Sequence, residues 1–199
     1  YSVKMDKVWD YEAVGPIKRL SEHVLGIYGF GRIGQAVAKR AGSFGIKVVA
    51  VDPFVSPQTA ASLKVELVDS QHIQEHATII SNHMNANDEN HNFFDRKYFE
   101  GLKQRPVFVN VSRGYCVDED ALLFALENHL VSHAALDVFK SEAPELSRMP
   151  LVEHERTLLS PHAAFYSEEA IHDCDNISVM NLIYSLKGQH EKVFAYLTH

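Results

Sequence analysis

Leu25-Gly26-Ile27-Tyr28-Gly29-Phe30-Gly31-Arg32-Ile33-Gly34 is the stretch on which the reading of this chain turns. Val24, Leu25 and Ile27 form a short apolar run that reads as a strand. Gly29, Gly31 and Gly34 then follow as G-x-G-x-x-G, and Ile33, Ala36, Val37, Arg40 and Ala41 continue at helical spacing. The first glycine permits a tight turn. The second, without a Cβ, lets backbone approach a pyrophosphate, and the third lets the helix lie close to the strand. The helix N-terminus at Arg32 and Ile33 offers N–H groups and the positive end of a dipole to phosphates. Lys47-Val48-Val49-Ala50-Val51-Asp52 reads as a second strand ending in an acid, eighteen residues beyond Gly34. A carboxylate there accepts hydrogen bonds from a ribose 2′-OH and repels a 2′-phosphate, which favours NAD over NADP. Asp52 before Pro53 also suits a strand-end turn.

The rest of the chain supports an α/β protein. Further strands are expected at 65–68, 78–81, 107–111, 132–138 and 157–160. Helices are expected at 32–44, 57–63, 95–103, 119–127 and 167–186. This alternation predicts a Rossmann-type doubly wound parallel sheet with helices on both faces. Residues 1–22 read as an entry helix and hinge, with Trp9 as a packing anchor and Gly15-Pro16 as a break. Residues 23–187 read as the nucleotide domain and 188–199 as a loosely held tail.

A length of 199 residues suits one well-cored domain, and a net charge of −7 argues against nucleic acid or an anionic membrane as partner. Two cysteines, Cys116 and Cys174, fit a reducing compartment. No apolar run reaches membrane-spanning length and no signal peptide is visible, so the cytoplasm is the expected location. His72 and His76 lie four apart on a plausible helix. No third ligand is near in sequence and there is no Cys-x-x-Cys, so no metal is expected.

In such sheets ligands bind beyond the C-terminal strand ends, and five polar groups fall there: His83, Arg113, Asp137, Glu142 and His162. Arg113, in Asn110-Val111-Ser112-Arg113-Gly114, offers a fork to a carboxylate or keto oxygen. His162, stiffened by Pro161, is placed to move a proton to or from a carbonyl oxygen. Glu142 is a candidate to raise the His162 pKa and fix its tautomer. Each has a plainer reading: a surface salt bridge, a structural loop histidine, a solvated acid.

These blocks resemble the D-isomer-specific 2-hydroxyacid dehydrogenases from about Trp9 to Tyr184. They are the glycine turn with Asp52-Pro53, His83 through Asn87 and His91, Asn110–Gly114 with Val117-Asp118-Glu119, Ala134–Val138, and Ser160-Pro161-His162. The resemblance implies NAD as cofactor, with Gly29, Gly31, Arg32, Ile33, Gly34, Asp52, His83, Val111, Ser112, Asp137 and His162 at the cofactor. It makes Arg113, Glu142 and His162 the catalytic set. Ala163–Ser167 also resembles the C-terminal-binding-protein corepressor subgroup, where an aromatic near Phe165 faces the substrate. The family pattern is broken at Asn85, where proline is usual, and at Ala143, which separates Glu142 from Pro144. It is also broken at His129 and His133, where glycines are usual, and Asn128 is expected to supply the left-handed turn there.

The resemblance implies hydride transfer between NAD(H) and a 2-hydroxy or 2-keto acid, and a homodimer. It implies a substrate domain lying largely outside these residues, so that the chain alone binds NAD but turns over poorly. The rival expectation is an NADH-sensing, corepressor-like interaction protein, and a third is a paralogue that only binds nucleotide.

Overall fold

Seven parallel strands are found among the described residues, which are residue 7 and residues 9–194 of a computed structural model. They are β1 (Val24–Tyr28), β2 (Lys47–Val51), β3 (Glu66–Leu67), β4 (Ile79–Asn82), β5 (Val107–Asn110), β6 (His133–Leu136) and β7 (Thr157–Leu159). Their order across the sheet is β3-β2-β1-β4-β5-β6-β7. The chain builds outward from β1 to β3, then returns to the other side of β1 and builds outward again. The reversal lies between β1 and β4, where Tyr28 pairs with Asn82.

Residues alternate between the two faces of the sheet, as a period of two requires. Leu25 and Ile27 of β1 join Val48 and Ala50 of β2 in one core cluster, closed by Ala38 and Ala41 of α1 (Arg32–Ser43) and Ala60 of α2 (Pro57–Ser62). Tyr28, Val49, Ile80 and Phe108 point into the other cluster. That cluster is covered by α3 (Ser70–His76), α4 (Arg96–Glu100), α5 (Glu119–Glu127) and α6 (Pro150–Glu153). The expected doubly wound sheet is therefore the observed one. Most of the expected strands shorten at their ends, 132–138 to His133–Leu136 and 65–68 to Glu66–Leu67, while 78–81 shifts by one residue to Ile79–Asn82.

Helix starts follow ordinary capping chemistry. Ser56, Asp69, Asp95 and Asp118 each accept a backbone N–H from the first turn of their helix. α1 differs: its N-cap is Gly31, which brings no side-chain cap.

Gly29 has φ +84 and a Cβ there would lie 2.6 Å from the His83 carbonyl carbon, so only glycine fits. A Cβ at Gly34 would overlap the Gly29 carbonyl oxygen and press on Ile27 Cγ2 at 3.3 Å. Two of the roles read from the sequence are thus geometric requirements.

Three local expectations need correction. Trp9 is 93 % exposed, and the described part of residues 1–22 holds two short 3-10 helices, Tyr11–Val14 and Leu20–Glu22, in place of an α-helix. Nearby Tyr11, Ile17 and Leu20 are exposed as well. The left-handed residue after α5 is His129 at φ +57, while Asn128 keeps φ −92. Leu130 N bonds back to Ala125 O, which closes a Schellman-type end and puts the left-handed position one residue beyond Asn128. The His129 carbonyl accepts from Arg105 Nε at 2.9 Å, and its ring meets Arg156 at 3.0 Å. These contacts hold the residue where a glycine would otherwise serve.

The first of two compact units ends at Pro161, and His162 opens the second. The second unit is built on α7 (Glu168–Leu186), capped by Ser167. Phe194 N donates to Asn181 Oδ1 at 2.8 Å, which ties the described end of the tail to that helix.

Gly34→Ala should lower the unfolding free energy by about 2 kcal/mol, because the added carbon overpacks the β1–α1 contact. Urea unfolding measures it; an unchanged midpoint would show that α1 shifts freely.

Candidate functional site

Parallel strands place their C-terminal ends on one edge of the sheet, and the first unit gathers its polar candidates there. Gly29, Gly31, Asp52 and His83 line a single cleft of about 630 Å³, together with Val51, Phe54, Met84 and Glu89. It opens at the β1–β4 reversal, the place where doubly wound sheets bind ligands.

Asp52 directly follows β2 and serves the turn and the cleft together. Its Oδ1 accepts from Phe54 N at 2.8 Å and Val55 N at 3.1 Å, which is the strand-end turn. Its Oδ2 accepts from Phe30 N at 2.7 Å, which ties the glycine loop to β2. A carboxylate has about four acceptor positions, so capacity remains for a hydroxyl group.

His83 follows β4. Its ring pairs with Ser81 Oγ at 2.9 Å, and burial pushes its pKa down to about 4. At neutral pH it is uncharged and contributes shape and hydrogen bonding rather than positive charge.

Two buried residues absent from the sequence-based candidates shape the next strand ends. Asn82 and Asn110 face each other across β4 and β5, and Asn82 Nδ2 donates to Asn110 Oδ1 at 3.0 Å. Single polar residues at strand ends carry no periodic signal; only the register reveals the pair. Arg113 is the exposed residue of a half-buried turn after β5, its Nη1 donating to Ser112 O at 2.8 Å. Ser112 Oγ donates to Met84 O at 2.5 Å, so the turn holding Val111, Ser112 and Arg113 is fastened to the cleft wall.

Asp137 follows β6 and is buried; its N donates to Asn110 O and its Oδ1 accepts from Ser160 Oγ at 2.5 Å. Glu142 is exposed in the loop beyond. That loop starts close to the Arg113 turn, since a Cβ on Gly114 would overlap the backbone of Phe139 and Lys140. Lys140 N also donates to Glu119 Oε1 at 2.6 Å.

His162 and Phe165 belong to the second unit. His162 has φ +52, an unusual conformation for a residue with a side chain, and its ring packs edge-on to Phe165 at 6.1 Å. Among the described residues no group of three or more His, Cys, Asp or Glu is arranged to hold a metal ion. No helix among them is long and apolar enough to cross a membrane.

The family model described as "D-isomer specific 2-hydroxyacid dehydrogenase, NAD binding domain" matches residues 2–164. The chain belongs to this family. As its NAD-binding domain, it is 33 % identical over 182 residues to a D-3-phosphoglycerate dehydrogenase of Methanocaldococcus jannaschii. That match covers 91 % of this chain and 34 % of the relative. Among solved structures it is similar to a D-lactate dehydrogenase of Treponema pallidum, with TM-score 0.82, 29 % identity, and 94 % of this chain and 59 % of that one covered. It is also similar to a D-lactate dehydrogenase of Lactobacillus jensenii with NAD+, with TM-score 0.84, 25 % identity, and 98 % and 62 % covered. The NAD-binding domain thus spans about a third of the first of these relatives and about three fifths of the two solved chains.

The cleft fits the cofactor of this family. A Cβ on Gly31 would meet no protein atom within 4 Å, so this backbone faces open space at the start of α1. The N-terminus of α1 has no side-chain cap, which suits it to a phosphate-bearing ligand.

The depressed pKa of His83 has a measurable consequence. Unfolded histidine takes up its proton near pH 6.5, and folded His83 does so only near pH 4. Between those values the unfolded chain binds more protons, so stability is complete above about pH 6.5 and falls as pH drops toward 4. Replacing His83 by Gln should flatten this fall by on the order of 2 kcal/mol. Denaturation midpoints of both proteins across the window test it, and equal slopes would place the His83 pKa near its ordinary value.

Proposed function

We propose that the protein containing this domain is an NAD-dependent dehydrogenase acting on a small 2-hydroxy or 2-keto acid. The observation that carries the reading is the cleft at the β1–β4 reversal, with the Arg113 turn fastened to its wall through Ser112 and Met84. Gly29, Gly31, Gly34, Arg32 and Ile33 form the pyrophosphate end, and Asp52 takes the ribose hydroxyls. His83, Val111, Ser112 and Asp137 complete the cofactor site.

Bound NADH supplies a hydride to the substrate carbon. Arg113 holds the substrate carboxylate and polarises the 2-keto oxygen; one of its five N–H donors is engaged by Ser112 O, leaving others for the acid. His162 gives that oxygen a proton on reduction and takes it back in the reverse direction. Glu142 is the supporting acid of the catalytic set in this reading, and Phe165 faces the substrate. Residues 23–187 are the cofactor domain in this reading, with the substrate domain contributed by further sequence. A homodimer and a cytoplasmic location accompany it, and exposed Trp9, Tyr11 and Ile17 are candidates for covered surface in the assembly.

NADH oxidation by the full-length protein should proceed with at least one of pyruvate, hydroxypyruvate, 2-ketoisocaproate and 3-phosphohydroxypyruvate. His162→Ala should cut kcat by about a hundred- to ten-thousand-fold while NADH stays bound. NADH binding with no turnover on any of these acids would set the enzyme aside in favour of an NADH-sensing interaction protein. NADH should also bind more tightly than NADPH, and Asp52→Ala should narrow the gap. Tighter binding of NADPH by the unsubstituted protein would refute the role of Asp52.

A further inference from the structure

Asn82 and Asn110 are 0 % and 1 % exposed at positions where β4 and β5 end side by side. Apolar side chains would fill this space without any polar group to satisfy, so the two amides call for a reason. Their partners supply one. Asn110 Oδ1 accepts from Asn82 Nδ2 at 3.0 Å and from Ser112 N at 3.2 Å. Asn110 Nδ2 donates to the carbonyl of Arg113 at 3.1 Å. Asn82 Oδ1 accepts from Met84 N at 3.0 Å. Each amide is oriented by at least one backbone group, so donor and acceptor ends are fixed. Every backbone partner lies in one of the two turns that leave the strands, and none in the sheet ladder.

We propose that Asn110, itself oriented by Asn82, is the positioning residue for Arg113. It holds the N–H of Ser112 and the carbonyl of Arg113 at once, which fixes the backbone on both sides of the Arg113 Cα. The direction in which the guanidinium leaves the chain follows from that. A surface arginine otherwise spends rotamer and backbone freedom when it engages a carboxylate; the buried clasp removes the backbone part beforehand. This inference rests on Arg113 being the substrate arginine.

The test uses the full-length protein, with pyruvate, hydroxypyruvate, 2-ketoisocaproate and 3-phosphohydroxypyruvate as substrates and NADH affinity measured by fluorescence. Asn110→Ala should raise the KM for the accepted keto acid tenfold or more, change kcat less, and leave the NADH Kd within twofold. Asn110→Asp preserves the volume and the acceptor for Asn82 and Ser112 but loses the donor to Arg113. It should show the same KM rise, and it carries the test if the alanine variant folds poorly. The effect of either variant should vanish in an Arg113→Ala background, with oxamate affinity for the NADH complex as the readout if turnover there is too slow. Unchanged KM in both Asn110 variants overturns the proposal. So does an undiminished effect in the Arg113→Ala background, which would make Asn110 a general structural residue. Arg113→Ala with full kcat/KM, or an unsubstituted protein that turns over none of the four keto acids, sinks the underlying reading and the proposal together. A severe Arg113→Ala defect beside normal Asn110 variants sinks the proposal alone.

Discussion

The carbonyl of Tyr28 accepts the His83 N–H at 2.7 Å, and Gly29 N donates to Val51 O at 3.0 Å. The hydrogen-bond ladder therefore reaches the last residue of β1 on the β4 side and one residue past it on the β2 side. The chain must turn at that point with neighbouring backbone pressed against it. Gly29 meets the constraint with a positive φ and no Cβ. Everything that makes this edge a binding cleft depends on that turn, because it aims the start of α1 back across the strand ends. Gly34 then sets how closely the helix lies, and Gly31 leaves the approach to its N-terminus open.

Asp52 links this turn to the neighbouring strand. A residue tied to three backbone N–H groups is held in place before any ligand arrives. The turn-forming role and the ribose-binding role read from the sequence are therefore not competitors. The bonds that make the turn also orient the carboxylate toward the cleft it lines. Tyr28 anchors the other side of the same turn from below. Its hydroxyl meets Ser70 Oγ at 2.8 Å and accepts from Tyr98 at 2.9 Å, and burial pushes its pKa up to about 12, so it stays a neutral hydrogen-bonding group.

The glycine turn, the strands on either side of it and the helix 119–127 were legible because each rests on local rules: periodicity, capping, glycine spacing. A parallel sheet with helices on both faces followed from alternation, while the order of its strands comes from the structure. What escaped depends on pairing across the chain. Asn82 and Asn110 are unremarkable singly and become a buried unit only through the β4–β5 register. The left-handed residue at His129 hides because two arginines distant in sequence hold it there. Trp9 misled for the opposite reason: a large aromatic suggests a buried anchor, and burial depends on what lies opposite it. The candidate residues of the first unit were legible by position, since strand ends could be counted. The hydrogen bonds that fix the Arg113 turn were not.

A chain of net charge −7 that binds a dinucleotide must create a favourable potential locally against its overall field. His83 does not supply it, because burial keeps that imidazole neutral through the physiological range. The cleft instead carries two carboxylates, Asp52 and Glu89. Positive potential is left to Arg32 and to the N–H groups at the start of α1, which are fixed dipoles needing no counterion and losing no side-chain entropy on binding. Such a cleft suits a pyrophosphate laid against the helix end and opposes a further phosphate beside Asp52. Acidity that would hinder a general anion site therefore sharpens the choice between NAD and NADP.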